Sequence, residues 1–126
     1  MLPEGLHLYT YTATVSHIVD GDTIYVDVDL GFFLRQHMKL RLAGINTPEI
    51  HGAEREVGLQ AKVFVEQAIP VGTRVVIKTS KLGKYGRYIA DVYYSADTED
   101  PHKILHHGHH LNQDLLNAGL AETVTY

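Results

Sequence analysis

The sequence predicts a small α+β domain that consists mostly of antiparallel β-strands. Several segments alternate apolar and polar residues, which is the pattern of a half-buried strand. One longer segment instead has the apolar spacing of an amphipathic helix. The chain has 126 residues, of which 44% are apolar, and this is enough for one core but not for two. We therefore expect a single domain over residues 1–126.

The first two strands are predicted as a hairpin. Strict alternation covers residues 9–16 and residues 24–30. Asp20 and Gly21 lie between them, and an Asp-Gly pair is a common signal of a tight turn. Asp22 is thus expected where the turn passes into the second strand.

A third strand is expected over residues 38–43, where Leu40 and Leu42 share one face. Lys39 and Arg41 alternate with these leucines and share the other face. Because the leucines face the core, Arg41 is expected to be held by a strand and to point away from the core.

The second half of the chain alternates helices and strands. An amphipathic helix is predicted within residues 54–69, and two strands are predicted around residues 75–77 and 89–93. A short helix over residues 112–118 is expected to end at Gly119 in a left-handed cap. This order of elements is the one expected of a five-stranded Greek-key barrel that carries helices.

Composition limits the partners and the compartment. No apolar run is long enough to cross a bilayer, and the N-terminus lacks the pattern of a signal peptide. We therefore expect a soluble, cytoplasmic protein with no membrane partner, unless a leader peptide has been removed.

The absence of cysteine excludes disulfides and thiolate metal sites. A net charge of -4 disfavours binding a polyanion over a broad surface, so any nucleic-acid contact must be local.

Three short clusters carry the chemistry, namely residues 20–23, residues 41–49 and residues 84–87. The carboxylate of Asp22 offers hard oxygens to a divalent cation, and Glu49 can take a proton from water. The guanidinium groups of Arg41 and Arg87 can clamp a phosphate from two sides. Each cluster alone is an ordinary turn, loop or exposed charge, but together they supply what phosphodiester cleavage requires.

A basic stretch follows the predicted fourth strand. Its cations recur with no acid among them, and tyrosines lie between them, a mixture suited to phosphate contact and base stacking. Taken alone, the stretch is better explained as a solvated basic loop, but together with the other clusters it favours nucleic-acid contact. Its members are Lys78, Lys81, Lys84, Tyr85, Arg87 and Tyr88.

These residues resemble the staphylococcal (thermonuclease-like) nuclease family. The likeness runs from about Val15 to Ala121 and includes the stretches Gly58–Ala61 and Leu111–Leu120. It implies an α+β fold that is mostly β, a five-stranded Greek-key OB-fold barrel with two or three helices. It also implies a monomeric, calcium-dependent enzyme that cleaves DNA and RNA with little sequence preference, leaving a 3′-phosphate and a 5′-hydroxyl.

The resemblance also implies a role for each site residue. Asp22 would bind Ca²⁺ together with the side-chain oxygen of Asn46 and the backbone carbonyl of Thr47, while Asp20 would orient the metal loop. Glu49 would act as the general base. The residues that would hold the scissile phosphate are Arg41 and Arg87, and those that would contact the terminal phosphate and the base are Lys84 and Tyr85.

Two departures from the family pattern lead to expectations of their own. Asn46 stands where the best-known member has aspartate, so the site has one negative charge fewer and calcium should bind more weakly. The connection over residues 31–37 looks longer than usual and could reshape one wall of the site.

The histidine-rich segment at residues 100–110 has two interpretations. Four histidines within residues 106–110 could bind zinc or nickel, because imidazole suits those ions. The segment could instead be an inserted, solvated loop that binds metals only adventitiously. We favour the second interpretation, because a glycine-containing loop fixes no tetrahedral geometry.

Two functions from different classes remain open. The first is an active nuclease, and the alternative is a catalytically weak or inactive domain that binds nucleic acid or protein. Related domains that have lost activity usually lack the arginines or the glutamate. The chain has Arg41, Glu49 and Arg87, and we therefore favour the enzyme.

Overall fold

The computed structural model describes residues 7–82 and 87–126, with the side chains of Leu82 and Arg87 left out of the description. The elements in these ranges agree with the predicted order of strands and helices. In chain order they are β1 (Thr10–Asp20), β2 (Thr23–Gly31), β3 (Leu34–Leu42), β4 (Ile45–Asn46), a 3₁₀ turn (Gly52–Glu54), α1 (Arg55–Ala68), β5 (Arg74–Leu82), β6 (Arg87–Tyr94), α2 (Pro101–His107), β7 (His109–His110), α3 (Leu111–Asn117) and β8 (Glu122–Thr123).

The main sheet closes into a barrel. Its strand order is β3-β2-β1-β5-β6, with antiparallel neighbours throughout. Parallel pairing of β3 with β6, through Arg41 with Ile89 and Leu42 with Ala90, joins the two ends of this order. Together with the three helices of the described ranges, this closed five-stranded barrel confirms the predicted α+β OB fold.

Aliphatic side chains fill the interior of the barrel. The alternating strands turn every second residue inward, and α1 packs against β1 and buries Ala61 and Val65, with Ile69 buried just after its end. The largest side chains that are fully buried are Ile24, Leu40, Leu42, Ile45, Ile69, Ile77, Ile104, Leu111 and Leu115. The polar residues of the strands therefore lie on the outer face of the barrel, as the alternation of β3 predicts for Arg41.

The connection between β2 and β3 differs from its prediction. The sequence predicts a long connection over residues 31–37, but the strands continue through most of it, and Gly31 pairs with Leu34. Only Phe32 and Phe33 remain in the turn, with positive φ angles of 55° and 61°. The prediction is wrong because phenylalanine rarely takes this left-handed conformation, so no residue pattern marks a two-residue turn here.

The histidine-rich segment also differs from its prediction as a loop, because residues 101–107 form α2. The carboxylate of Asp100 accepts a hydrogen bond from the backbone N–H of His102 at 2.9 Å and caps the helix, and Pro101 occupies its first turn. Ile104 anchors the helix in the interior. Among residues 7–82 and 87–126, no group of three or more histidine, aspartate or glutamate side chains is placed to hold a metal ion.

The ends of the remaining helices follow the sequence closely. The helix predicted within residues 54–69 is α1, and the last predicted helix is α3. Gly119, at a φ of 72°, follows α3 in the left-handed conformation that was predicted for its cap. In the part of the chain that the structure describes, no helix is long and apolar enough to span a membrane.

Candidate active site

The turn between β1 and β2 holds the Asp22 carboxylate in one position. Asp22 is only 5% exposed. Its Oδ1 accepts a hydrogen bond from the hydroxyl of Thr23 at 3.0 Å, and its Oδ2 accepts one from the backbone N–H of Thr47 at 3.0 Å. Asp20 fixes the turn itself, because its Oδ1 accepts the backbone N–H of Asp22 at 3.1 Å.

Gly21 lets this turn pack directly against its neighbours. A Cβ atom at this position would lie 2.7 Å from Cβ of Ala61 and 2.9 Å from Cγ2 of Thr47. Any larger residue would therefore push the turn away from α1 and from the segment that carries Thr47. The small residues Gly21 and Ala61 thus bring Asp22 and Thr47 together.

A second glycine positions the segment that carries Glu49. A Cβ atom on Gly58 of α1 would lie 2.3 Å from the carbonyl oxygen of Glu49 and 2.7 Å from that of Pro48. The backbone of residues 48–49 therefore rests directly on the helix. The Glu49 side chain belongs to an exposed residue and lines the cleft described below.

Arg41 lies next to Asp22 at the end of β3, where its backbone pairs with Thr23 and with Ile89. Its Nη2 atom lies 3.5 Å from Oδ2 of Asp22 and also donates to the side-chain oxygen of Asn46. One guanidinium nitrogen thus contacts both side-chain oxygens that the family resemblance assigns to calcium.

These residues line an open cleft of about 600 Å³. Its lining contains five of the residues that the sequence predicts for the site, and Asp20 is linked to it through its hydrogen bond from the Asp22 N–H. The cleft is lined by Asp22, Arg41, Asn46, Thr47, Pro48, Glu49, Glu54, Val57, Gly119, Leu120, Ala121 and Glu122.

Three predicted site residues cannot be placed at the cleft. Lys84 and Tyr85 lie outside the described residues. Arg87 begins β6, and its backbone pairs with Leu82, but its side chain is not among the parts that the structure describes. Their predicted roles stay predictions.

Sequence reasoning missed the wall of the cleft that residues 119–122 form. This wall reaches the site because β4 pairs with β8, through Asn46 with Glu122 and Ile45 with Thr123. Strands of two residues leave no alternation to detect, so the sequence carries no signal of this pairing. Glu54, which lies just before α1, also lines the cleft and was not predicted.

Electrostatics separates the two carboxylates of the turn. Burial, with the hydrogen bond to Asp22 and its negative charge, raises the pKa of Asp20 to about 6. Burial would also raise the pKa of Asp22, but hydrogen bonds from Asp20 and from the Thr47 N–H, together with the charge of Arg41, hold it below its usual value. Asp22 is therefore the more acidic of the two carboxylates.

The donor chemistry of the site fits a hard divalent cation. Asp22 and Asn46 present side-chain oxygens, and Thr47 adds a backbone carbonyl. The buried hydroxyl oxygen of Thr47 has no hydrogen-bond partner among the described residues, and so a polar atom here lacks the contact that buried groups normally have. A set of oxygen atoms that includes a single carboxylate is a type of ligand set that suits Ca²⁺ or Mg²⁺.

Comparison with known proteins agrees with the geometry. The family model described as staphylococcal nuclease homologue matches residues 39–126. An uncharacterized protein of Methanocaldococcus jannaschii is similar to this chain, with 31% identity in a match that covers 66% of this chain and 48% of that protein. The chain therefore spans about half the length of the relative that it matches.

Proposed function

The chain belongs to the family of staphylococcal nuclease homologues, and on this basis we propose that it is a calcium-dependent nuclease that hydrolyses DNA or RNA. The observation that carries the proposal is the meeting of Asp22, Arg41 and Glu49 at one open cleft. These side chains combine an ionised carboxylate, a phosphate-binding guanidinium and a candidate base. Products with a 3′-phosphate and a 5′-hydroxyl follow from the family resemblance.

In the proposed reaction, Arg41 binds the non-bridging oxygens of the scissile phosphate through its planar guanidinium. Glu49 takes a proton from a water molecule, whose oxygen attacks phosphorus. The bond from phosphorus to the 5′-oxygen breaks, the 5′-oxygen takes up a proton to leave as a hydroxyl, and the phosphate stays on the 3′ side. Glu49 then returns its proton to solvent.

The residues that would hold the metal are Asp22, Asn46 and the backbone carbonyl of Thr47. When bound, Ca²⁺ supplies positive charge for the phosphate oxygens in the transition state. Burial of Asp22 and its hydrogen bonds from Thr23 and Thr47 keep its carboxylate oriented without substrate. The site therefore needs little reorganisation of Asp22 for cleavage.

A second candidate function is binding of nucleic acid without cleavage. Two observations favour it: the only carboxylate in the proposed ligand set is Asp22, and Arg41 already contacts both Asp22 and Asn46. A domain that binds calcium too weakly would still bind phosphate through its arginine, but it would cleave nucleic acid slowly or not at all. The two functions differ in turnover and not in binding.

The test measures release of acid-soluble nucleotides from denatured DNA and from RNA, with Ca²⁺ and with chelator. We expect cleavage that needs Ca²⁺ and that Glu49→Gln abolishes almost completely. Glu66→Gln, an exposed glutamate of α1 that does not line the cleft, is the matched control and should retain the parent rate. Binding of DNA by the parent with no cleavage under any of these conditions would support the second candidate.

A further inference from the structure

The outer face of the barrel next to Arg41 carries a row of aromatic rings that the cleavage reaction does not use. The row crosses three adjacent strands, with His17 on β1, Tyr25 on β2 and His37 on β3. The ring centroids of Tyr25 and His37 are 5.2 Å apart with planes 10° apart, and those of His17 and Tyr25 are 6.1 Å apart. Tyr25 is the centre of this row.

Charged neighbours hold the row in place. Nδ1 of His37 lies 2.8 Å from Oδ1 of Asp27, which orients the imidazole against Tyr25. The ammonium group of Lys39 lies over the Tyr25 ring, 5.9 Å from its centroid. Tyr25 and Lys39 are direct partners in the β2–β3 ladder.

Strand β3 connects the aromatic row to the candidate active site. Lys39 and Arg41 are two residues apart on the same face, which corresponds to about 7 Å along a strand. That advance is comparable with the step between neighbouring phosphates of an extended single strand. A strand with one phosphate at Arg41 can therefore place the next phosphate at Lys39.

Acidic residues limit the basic surface to the end near Arg41. Asp27 and Asp29 lie farther along β2, opposite His37 and Arg35 in the ladder. Their charges disfavour a polyanion at that end. The part of the face that suits a phosphate is thus the part around Lys39, beside the Tyr25 ring.

We propose that Tyr25 and Lys39 form a binding subsite for the nucleotide next to the scissile phosphate of a single-stranded substrate. Tyr25 stacks on the base, and Lys39 contacts the adjoining phosphate. The His37 side chain is 60% exposed, so a base can reach the Tyr25 ring by displacing the imidazole, at the cost of its contact with Asp27. The subsite rests on the proposed function, because the register of the strand is set by the phosphate at Arg41.

A single strand is the partner that this chemistry fits. Stacking on a protein ring requires a base that is free of its own duplex, and exposed aromatic rings on a sheet are a common means of binding unpaired bases. Strands 2 and 3 of OB folds are a general surface for oligonucleotides. A protein partner or a second copy of the chain offers no such match to a ring beside a phosphate-binding cation.

The test measures affinity, so that it does not depend on cleavage. Binding of a short fluorescent oligothymidylate is followed by anisotropy in Ca²⁺, in a Glu49→Gln background that leaves the strand uncut. Tyr25→Ala should weaken binding about tenfold, the usual effect of losing one stacked base, and Tyr25→Phe should bind like the parent. The matched control is Tyr9→Ala, which changes an exposed tyrosine just before the first residue of β1, at the opposite end of the strand from His17.

An abasic strand of the same length separates the contribution of the base to binding from that of the phosphates. It keeps every phosphate, so Tyr25→Ala should leave its affinity unchanged. Lys39→Gln should weaken binding of both strands and lower the slope of log affinity against log salt by about one phosphate contact. Lys103→Gln, an exposed lysine of α2, serves as its control.

The outcomes separate the subsite from the enzyme. A parent protein that binds the oligothymidylate but cuts no substrate would end the proposed function and leave the subsite standing if Tyr25→Ala binds more weakly. Equal affinity of Tyr25→Ala and its background, or an equal loss on the abasic strand, would overturn the subsite whatever the activity. Absence of binding by the parent would overturn both. If Tyr25→Ala fails to fold, Tyr25→Leu replaces it, because leucine keeps the apolar contact but has no aromatic face.

Discussion

The Nη2 atom of Arg41 lies 3.5 Å from Oδ2 of Asp22, and the same nitrogen donates to the side-chain oxygen of Asn46. A protein cation thus contacts both side chains that we propose as metal ligands. We infer that Ca²⁺ at these oxygens and phosphate at Arg41 both compete with this contact for the guanidinium. The two ligands should therefore favour each other, because either one releases Arg41 for the other.

The first prediction concerns Asn46, which makes the site one negative charge poorer than an aspartate would. A unit charge about 4 Å from another is worth roughly 4 kcal/mol per unit of metal charge at an effective dielectric near 20, and solvation offsets most of it. Asn46→Asp should tighten binding of Ca²⁺ to the free protein. Calorimetry of parent and mutant, with and without a nonhydrolysable nucleotide, measures this effect. Identical affinities in all four titrations would show that Asn46 is not a metal ligand.

The second prediction concerns Glu49. If it activates the water, Glu49→Gln should lower turnover by about two to four orders of magnitude, the usual contribution of general acid-base catalysis. The fold and the affinity for substrate should persist, because the residue is exposed and its backbone rests on Gly58 whatever the side chain. Unchanged turnover of a folded Glu49→Gln protein would remove Glu49 from the mechanism.

The third prediction concerns Arg41. Arg41→Lys keeps a positive charge but loses the planar fork, so turnover should fall strongly while substrate binding weakens only modestly. Steady-state kinetics and equilibrium binding to the same oligonucleotide separate the two effects. Arg74→Lys, an exposed arginine at the start of β5, provides the matched control. A nearly normal turnover would make Arg41 a simple surface cation, and Arg87→Lys tests the second predicted clamp in the same way.

Several residues of the cleft could be placed from the sequence because they lie in short local patterns. The Asp-Gly turn places Asp22, and the alternation of β3 turns Arg41 outward, away from Leu40 and Leu42. These predictions need only neighbouring residues, and the structure places both residues at the cleft.

The remainder depends on contacts between distant parts of the chain. The wall at residues 119–122 reaches the cleft through the pairing of β4 with β8, and Glu49 is placed by contact of its backbone with Gly58. Neither contact leaves a periodic signal in the sequence. The stacking of Tyr25 on His37 depends on the register of the β2–β3 hairpin, which could not be predicted while residues 31–37 were assigned to a connection.

The fourth prediction concerns the pH dependence of stability. The pKa of Asp20 is about 6 in the folded protein against an ordinary value of 3.8, so its contribution to stability is complete below pH 3.8 and is lost as pH rises through 6. Asp20→Asn keeps an acceptor for the Asp22 N–H but carries no charge. It should therefore remove this decline and stabilise the protein at neutral pH by about 1 kcal/mol, after allowance for solvent screening.

Urea unfolding in chelator, followed across this pH window, measures the effect of Asp20→Asn. Asp97→Asn, in the exposed segment before α2, is the control and should leave the pH dependence unchanged. If the free energy of unfolding of Asp20→Asn declines with pH as steeply as that of the parent, a group other than Asp20 causes the decline.

The fifth prediction concerns the turn of the β2–β3 hairpin, where both Phe32 and Phe33 have positive φ. Left-handed backbone costs a non-glycine residue roughly 1 to 2 kcal/mol, and the two rings recover little of it because they are 93% and 107% exposed. Replacing the pair by Asn-Gly, the preferred pair for such a turn, should raise the free energy of unfolding by about 1 kcal/mol or more. Replacing both phenylalanines by leucine removes the rings but keeps the strain, so this control should change stability little. Equal stability of the Asn-Gly and Leu-Leu variants in urea unfolding would show that the turn is not strained.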